Sequence, residues 1–310
     1  MSWQIADIPG PKRDLIGYGR TPPRVHWPGG ARVALNFVIN YEEGSEQSHE
    51  LGDGRTDGLT ETPFSINKKY RDLGAESMFE YGSRAGVWRL ARLFDRYGIK
   101  VTFYACAVAL ERNPEVCAWI REEEHEPAAH GWRWEQIWRL DRETEAEHLR
   151  RCIESIERTC GERPRGWYSR YSPSTNTRDL LVADGGFLYD SDAYNDDLPY
   201  FTEVAGQRHL IIPYNIVYND IRMIMPQGDM DPASWLDFLV RGFDYLWDEG
   251  EHYPKMMTVG LHPRLVGQAG RASVLQQFIE HCARKGQVWF ARRVDIARWW
   301  LENHESFNVD

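Results

Sequence analysis

The chain has 310 residues, 42% of them apolar, enough for a substantial buried core in one large domain. A net charge of −10 leaves no basic stripe to neutralise phosphates, which excludes nucleic acid as a partner. No apolar run approaches the about 18 residues that a membrane span requires, and the count of 13 Trp, 15 Tyr and 12 Phe argues against disorder. The opening M-S-W-Q-I-A-D-I-P-G-P-K-R lacks the apolar core of a signal peptide. The cysteines at 106, 117, 152, 160 and 282 form no C-x-x-C pair, so reduced, mostly buried thiols in a cytoplasmic protein are expected.

Residues 1–30 carry Pro9, Pro11, Pro22, Pro23 and Pro28 and read as an extended arm, with Trp3 and Trp27 as exposed aromatics suited to subunit contacts. Val33, Leu35, Phe37 and Ile39 alternate along a buried strand that ends on the polar tip Asn40, Tyr41, Glu42 and Glu43 before Gly44. Residues 44–82 show no sustained period and are expected to be a long insertion loop, a kind of segment that tends to be functional in compact enzymes. Ser83 is placed to cap a helix whose apolar face is Val87, Leu90, Ala91, Phe94 and Tyr97, stopped by Gly98.

From there strands and helices alternate. The strand V-T-F-Y-A-C-A-V (101–108) precedes a helix capped by Asn113. A short strand ends on His130, and Asp141 caps a long helix to Gly161. G-W-Y-S ends on Arg170, Asn176 opens a helix closed by Gly185-Gly186, and F-L-Y-D-S-D is another strand. Residues 209–224 read as two β segments split by Pro213, and Asp231-Pro232 starts an amphipathic helix. M-M-T-V-G-L ends on His262, a helix runs from about Ala272 to Lys285, V-W-F-A ends on Arg292, and a last helix carries Ile296, Trp299 and Trp300. The alternation predicts an α/β fold: a closed or nearly closed barrel of about seven parallel strands, in a single domain over 1–310.

A parallel barrel places its chemistry at the carboxyl ends of the strands. Glu42 and Glu43, His130, Arg170, Asp190 with Asp192, and His262 all fall at such ends. Each alone has an ordinary structural explanation, but together they supply a base, an acid and a cation on one rim. Two adjacent carboxylates that face one pocket raise each other's pKa, which would ready Glu42 as a base. In H-E-P-A-A-H-G-W-R-W, position 134 is Trp, one helical turn beyond His130, where a second histidine would have signalled zinc. Any divalent ion would be held weakly, by Glu43 and His130 with a third oxygen.

The chain resembles the NodB-like polysaccharide deacetylase superfamily, and within it the branch containing the metal-independent allantoinase of uric-acid degradation. The resemblance is carried by R-D-L-I-G-Y-G (13–19), N-Y-E-E-G (40–44), E-Y-G-S-R-A-G-V-W-R-L (80–90) and A-H-G-W-R-W (129–134). It continues through G-G-F-L-Y-D-S-D (185–192), D-D-L-P-Y (196–200), G-L-H (260–262) and V-W-F-A-R-R-x-D-I-A-R (288–298). It implies a distorted, TIM-barrel-related (β/α) barrel. It maps Glu42 onto the family's catalytic-base aspartate, Glu43 onto its metal-ligand aspartate, Arg170 onto its third-motif arginine and His262 onto its general-acid histidine. Three departures stand out: the Y-S-R-Y-S-P-S-T-N-T loop (168–177), where the allantoinase branch carries the shorter T-G-R-T-x-P-N-T, together with Pro127 and Pro263.

The expectation is hydrolysis of a carbon–nitrogen bond, not a peptide bond, in a small, polar, nitrogen-rich cyclic amide or ureide. Glu42 would activate water, His262 protonate the leaving nitrogen, and Arg170 and His130 offset the oxyanion. Glu43, Asp190, Asp192 and Asp220 would bind substrate, with Trp132, Trp134 and Trp167 as walls. No cofactor is expected, and the resemblance implies a tetramer. The alternatives are a metal-dependent amino-sugar N-deacetylase, with Glu43 and His130 on zinc, and a barrel without catalysis.

Overall fold

The computed structural model describes residues 8–58, 66–225 and 230–307. Trp3 lies outside them. Nine strands are described: β1 (Val33–Tyr41), β2 (Thr102–Ala105), β3 (Glu126–Ala129), β4 (Gly166–Trp167), β5 (Tyr189–Asp190), β6 (Tyr200–Val204), β7 (Gln207–Ile211), β8 (Lys255–Leu261) and β9 (Val288–Phe290). They form one curled sheet in the order β6-β7-β5-β4-β3-β2-β1-β8, parallel except for the β6–β7 hairpin. Among the described residues no strand ladder joins β8 to that hairpin. The barrel is therefore open there, bridged by Met256 N–H donating to Asp197 O at 3.0 Å.

Period-2 geometry gives β1 two kinds of face. Leu35, Phe37, Ile39 and Tyr41 turn outward into the main apolar core, while Val38 joins Tyr104, Ala128, Tyr168 and Tyr214 in a separate cluster inside the barrel. Strand β9 pairs with Val33–Leu35 and β2 with Val38–Tyr41, so the last strand enters the base of the barrel beside the first. The interior is polar near that base. The fully buried Arg293 donates to Asn36 Oδ1 at 3.0 Å, Thr258 Oγ1 at 2.8 Å, Ser191 Oγ at 2.9 Å, and the carbonyls of Ile212 and Pro213.

Several sequence expectations need correction. The 44–82 stretch is not all loop, because α1 (Leu73–Tyr81) begins inside it, capped by Asp72 Oδ1 accepting from Ala75 N–H at 3.0 Å. Ser83 caps nothing. It lies in a π turn, Gly82–Gly86, which joins α1 to α2 (Val87–Tyr97) in one helical run. Residues 107 and 108, expected to end a strand, instead begin the short helix α3 (Ala107–Glu111), followed by α4 (Pro114–Glu122), α5 (Arg142–Cys160) and α6 (Thr177–Asp184). Beyond Pro213 the chain makes two 3-10 turns instead of a second strand, and β6 was not expected at all. The remaining helices are α7 (Pro232–Glu249), α8 (Ala269–Lys285) and α9 (Arg293–Asn303).

Trp27 is buried, not exposed. Its indole donates to Lys255 O at 3.0 Å and packs against Trp289 and Trp300, which ties the arm to the base of its own barrel. All five cysteines are buried free thiols. Among the described residues no helix is long and apolar enough to cross a membrane.

Candidate active site

A pocket of about 120 Å³ opens at the carboxyl end of the strands, lined by Glu42, His130, Arg170 and His262 together with Asn40, Trp134, Tyr168, Tyr171 and Arg264. Four residues far apart in sequence thus share one cavity, because each follows the end of a strand (β1, β3, β4 and β8).

Glu42 continues the inward face of β1 and is buried, with 2% of its surface exposed. Its Oε1 lies 3.4 Å from His130 Nε2 and 3.6 Å from His262 Nε2, and its Oε2 accepts from Arg264 Nη1 at 2.9 Å. Burial alone would raise its pKa. The charges of His262 and Arg264 and the hydrogen bonds from His130 and His262 outweigh burial and hold the carboxyl well below the usual carboxylate range. The expected mutual elevation by Glu43 does not govern Glu42.

His262 is oriented by Asp220. Its Nδ1 is 2.7 Å from Asp220 Oδ1, and Asp220 Oδ2 accepts from the His262 backbone N–H at 2.7 Å and from Val266 N–H at 3.3 Å. Burial would lower the pKa of the imidazole, but the Asp220 and Glu42 carboxylates push it up to about 10. Asp220 was expected to bind substrate. The structure commits both its oxygens to the β8 turn instead.

His130 gives Nδ1–H to Tyr168 O at 2.6 Å and stacks on the Tyr168 ring, which leaves Nε2 toward Glu42. Arg170 donates Nη1–H to Asp57 Oδ2 at 3.0 Å and to Trp134 O at 2.6 Å, with its guanidinium 3.5 Å from the Trp134 ring centroid. Its buried Nε–H has no partner among the described residues.

Glu43 occupies the opposite face of the strand tip. Its Oε2 accepts from Glu42 N–H at 3.1 Å and its Oε1 from Arg264 N–H at 3.2 Å, so one carboxylate clamps the backbones of both members of the Glu42–Arg264 pair. Burial raises its pKa to about 7, with Arg264 opposing and Glu42 reinforcing. It borders a second cleft of about 440 Å³ and does not line the Glu42 pocket. A Cβ built on Gly82 would overlap the Glu43 carboxylate. Gly82→Ala is therefore expected to destabilise the fold by about 1–3 kcal/mol in urea unfolding. Unchanged stability would show that the clamp yields freely.

The remaining expected substrate contacts are not at the pocket, except Trp134. Trp132 packs against the main core, and Trp167 packs edge-on to Phe187 and donates to Ser169 Oγ. Asp190 is held by Arg178 Nε at 2.7 Å and His209 Nε2 at 3.0 Å, and Asp192 accepts from Ser169 N–H and Oγ–H at 2.7 Å. Arg264 was missed. It sits in the turn after β8, two residues past His262, where no motif marks it.

The ion site expected from Glu43 and His130 is not assembled: the two border different cavities, Arg264 occupies the second oxygen of Glu42, and among the described residues no group of three His, Cys, Asp or Glu side chains is placed to hold an ion.

An open, mostly parallel (β/α) barrel with an acid–base set at its strand ends defines the class. The polysaccharide deacetylase family profile matches residues 71–188. A Schizosaccharomyces pombe protein described as a polysaccharide deacetylase is 37% identical, over 94% of this chain and 98% of its own. A crystal structure of PuuE allantoinase superposes with TM-score 0.91 at 44% identity, covering 96% of this chain and 99% of that one. One from Pseudomonas aeruginosa, described as a polysaccharide deacetylase, gives 0.90 at 44%, covering 94% and 98%. The chain belongs to the polysaccharide deacetylase family. Membership, with an allantoinase among the neighbours, supports a hydrolase acting on carbon–nitrogen bonds.

Proposed function

We propose that the chain hydrolyses a small cyclic amide or ureide, by water that Glu42 activates, without a cofactor. The observation that carries this reading is the convergence of Glu42, His130, Arg170 and His262 on one small pocket, with Glu42 Oε1 3.4 Å from His130 Nε2 and 3.6 Å from His262 Nε2, in surroundings that favour an ionised Glu42 and a protonated His262. A volume of about 120 Å³ suits a single small ring and not a polymer chain.

Glu42 Oε1 takes a proton from water held beside His130 Nε2 as the water oxygen adds to the amide carbon. A carboxylate of such low basicity demands that proton removal and attack be concerted. Negative charge develops on the former carbonyl oxygen and is offset by the Arg170 guanidinium, which borders the pocket and is fixed in place by Asp57 and Trp134. The carbon–nitrogen bond then breaks as His262 Nε2–H protonates the departing nitrogen. The proton on Glu42 returns to His262 across the same gap, which restores both groups and leaves a free amide or amine and a carboxylic acid that gives its proton to solvent.

The rate is expected to require Glu42 ionised and His262 protonated. kcat/KM should stay flat through neutrality and fall tenfold per pH unit above about 10. Asp220→Asn removes the larger of the two attractions that hold the His262 proton. It should move this alkaline limb down by more than about one unit and cut kcat by about 10²-fold or more, read from pH–rate profiles. An unmoved limb would separate His262 from the acid role.

Assay of the purified protein against a panel of hydantoins, imides and ureides tests the reading, and absence of turnover across the panel overturns it. The Helicobacter pylori peptidoglycan deacetylase, 26% identical over 74% of each chain, motivates the second reading, metal-assisted deacetylation of an amino sugar. That reaction would be lost with chelator, whereas the proposed one would not.

A further inference from the structure

We propose that the natural substrate carries a flat apolar substituent outside its reacting ring, received by an aromatic collar around the mouth of the pocket. This inference rests on the cyclic-amide reading and names its substrate more closely.

Four large side chains with apolar surface in solvent stand together at this rim. Tyr171 is 50% exposed, Tyr194 47%, Ile216 43% and Trp138 38%. Tyr171 and Ile216 line the pocket itself. The Tyr171 ring stands 6.0 Å from Trp134 within and 6.4 Å from Trp138 outside, so an aromatic surface runs without a break from the reacting centre to solvent. Tyr194 continues it on the other side, its hydroxyl 2.9 Å from Tyr168 Oη and donating to Tyr171 O at 3.0 Å.

The backbone of Tyr171 is held where an aromatic residue rarely sits, at φ +62°. Such a conformation is strained for a bulky side chain and persists where the surroundings enforce it, typically at a functional site. It occurs in the Y-S-R-Y-S-P-S-T-N-T loop that follows β4. The pocket beneath has room for the ring that reacts and for little else. A bare polar ureide would leave the collar wet, whereas a planar apolar arm at the ring carbon would lie on Tyr171 and Trp138 and remove both from water.

The test compares hydantoin, 5-methylhydantoin and 5-benzylhydantoin, by initial rates and by quenching of tryptophan fluorescence on binding. The 5-benzyl compound is expected to show kcat/KM at least about tenfold above hydantoin, chiefly through KM. Tyr171→Ala and Trp138→Ala should each shrink that ratio to within about threefold. Equal kcat/KM for the three compounds, or preference for hydantoin, overturns the inference while leaving the cyclic-amide reading intact. Tighter binding of the 5-benzyl compound without turnover of any of the three sustains the collar and sinks the reaction. Should light scattering and cross-linking show a second copy of the chain seated on the rim, with Tyr171→Ala weakening that assembly and not ligand preference, the collar is a subunit contact and the inference fails.

Discussion

Glu42→Gln is expected to lower kcat by about 10²–10⁴-fold while the protein remains folded. The substitution keeps an oxygen for Arg264 Nη1 but removes the anion, and a neutral amide cannot take the proton of water. It also strips His262 of one of the two carboxylates that raise its pKa, so residual activity should fade at lower pH than in the parent. The surroundings limit the structural damage, because the Arg264 guanidinium also rests 5.1 Å from the Phe79 ring centroid and 5.6 Å from that of Trp134. Circular dichroism and thermal unfolding would confirm the fold at the assay temperature. Retention of more than about a tenth of the parent rate would remove Glu42 as the base.

The second large effect is on stability. Arg293→Leu should abolish folding, or cost more than about 4 kcal/mol in urea unfolding, although the new side chain is apolar and the site is fully buried. The carbonyl oxygens of Asn36, Ile212 and Pro213 would lose the donor that now satisfies them, each at about 1–3 kcal/mol, and the Thr258 and Ser191 hydroxyls, the latter still accepting from Tyr104, could replace only part of it. Its guanidinium stands within the cluster of interior hydroxyls, 5.9 Å from the Tyr104 ring and 6.0 Å from that of Tyr189. A loss below about 1 kcal/mol would mean that water enters the barrel and takes over the bonds.

The parallel barrel was legible because its signals are local: apolar runs ending in reactive residue types, glycine stops and capping residues such as Asn113, Asp141 and Asp231. The same logic brought Glu42, His130, Arg170 and His262 to one rim. It misplaced Asp190 and Asp192, because β5 is two residues long and its polar end is taken up by Arg178, His209 and Ser169, partners that no spacing announces. The opposite facing of Glu42 and Glu43 follows from the strand period and was available in principle; reading the pair as one acidic tip concealed it. Asp220 and Arg264 act from turns, where position depends on tertiary packing and not on a repeating pattern. Ser83 illustrates the same limit, since only the path of the preceding helix shows that it caps nothing.

The pairing of β1 has a consequence for the order of assembly. The strand that leads into Glu42 is made early, yet only its ladder to β2 is formed with nearby sequence, and the other two run to β8 and β9, with Asn36 bonding Met257 across 221 positions. A growing polypeptide holds β1 with an unpaired edge until its last quarter has been synthesised, and loop closure over that span is slow. Pulse-labelled amide exchange should accordingly find Val33–Tyr41 protected late, together with Lys255–Leu261, so that catalytic competence arrives with the final docking event and not with the initial collapse.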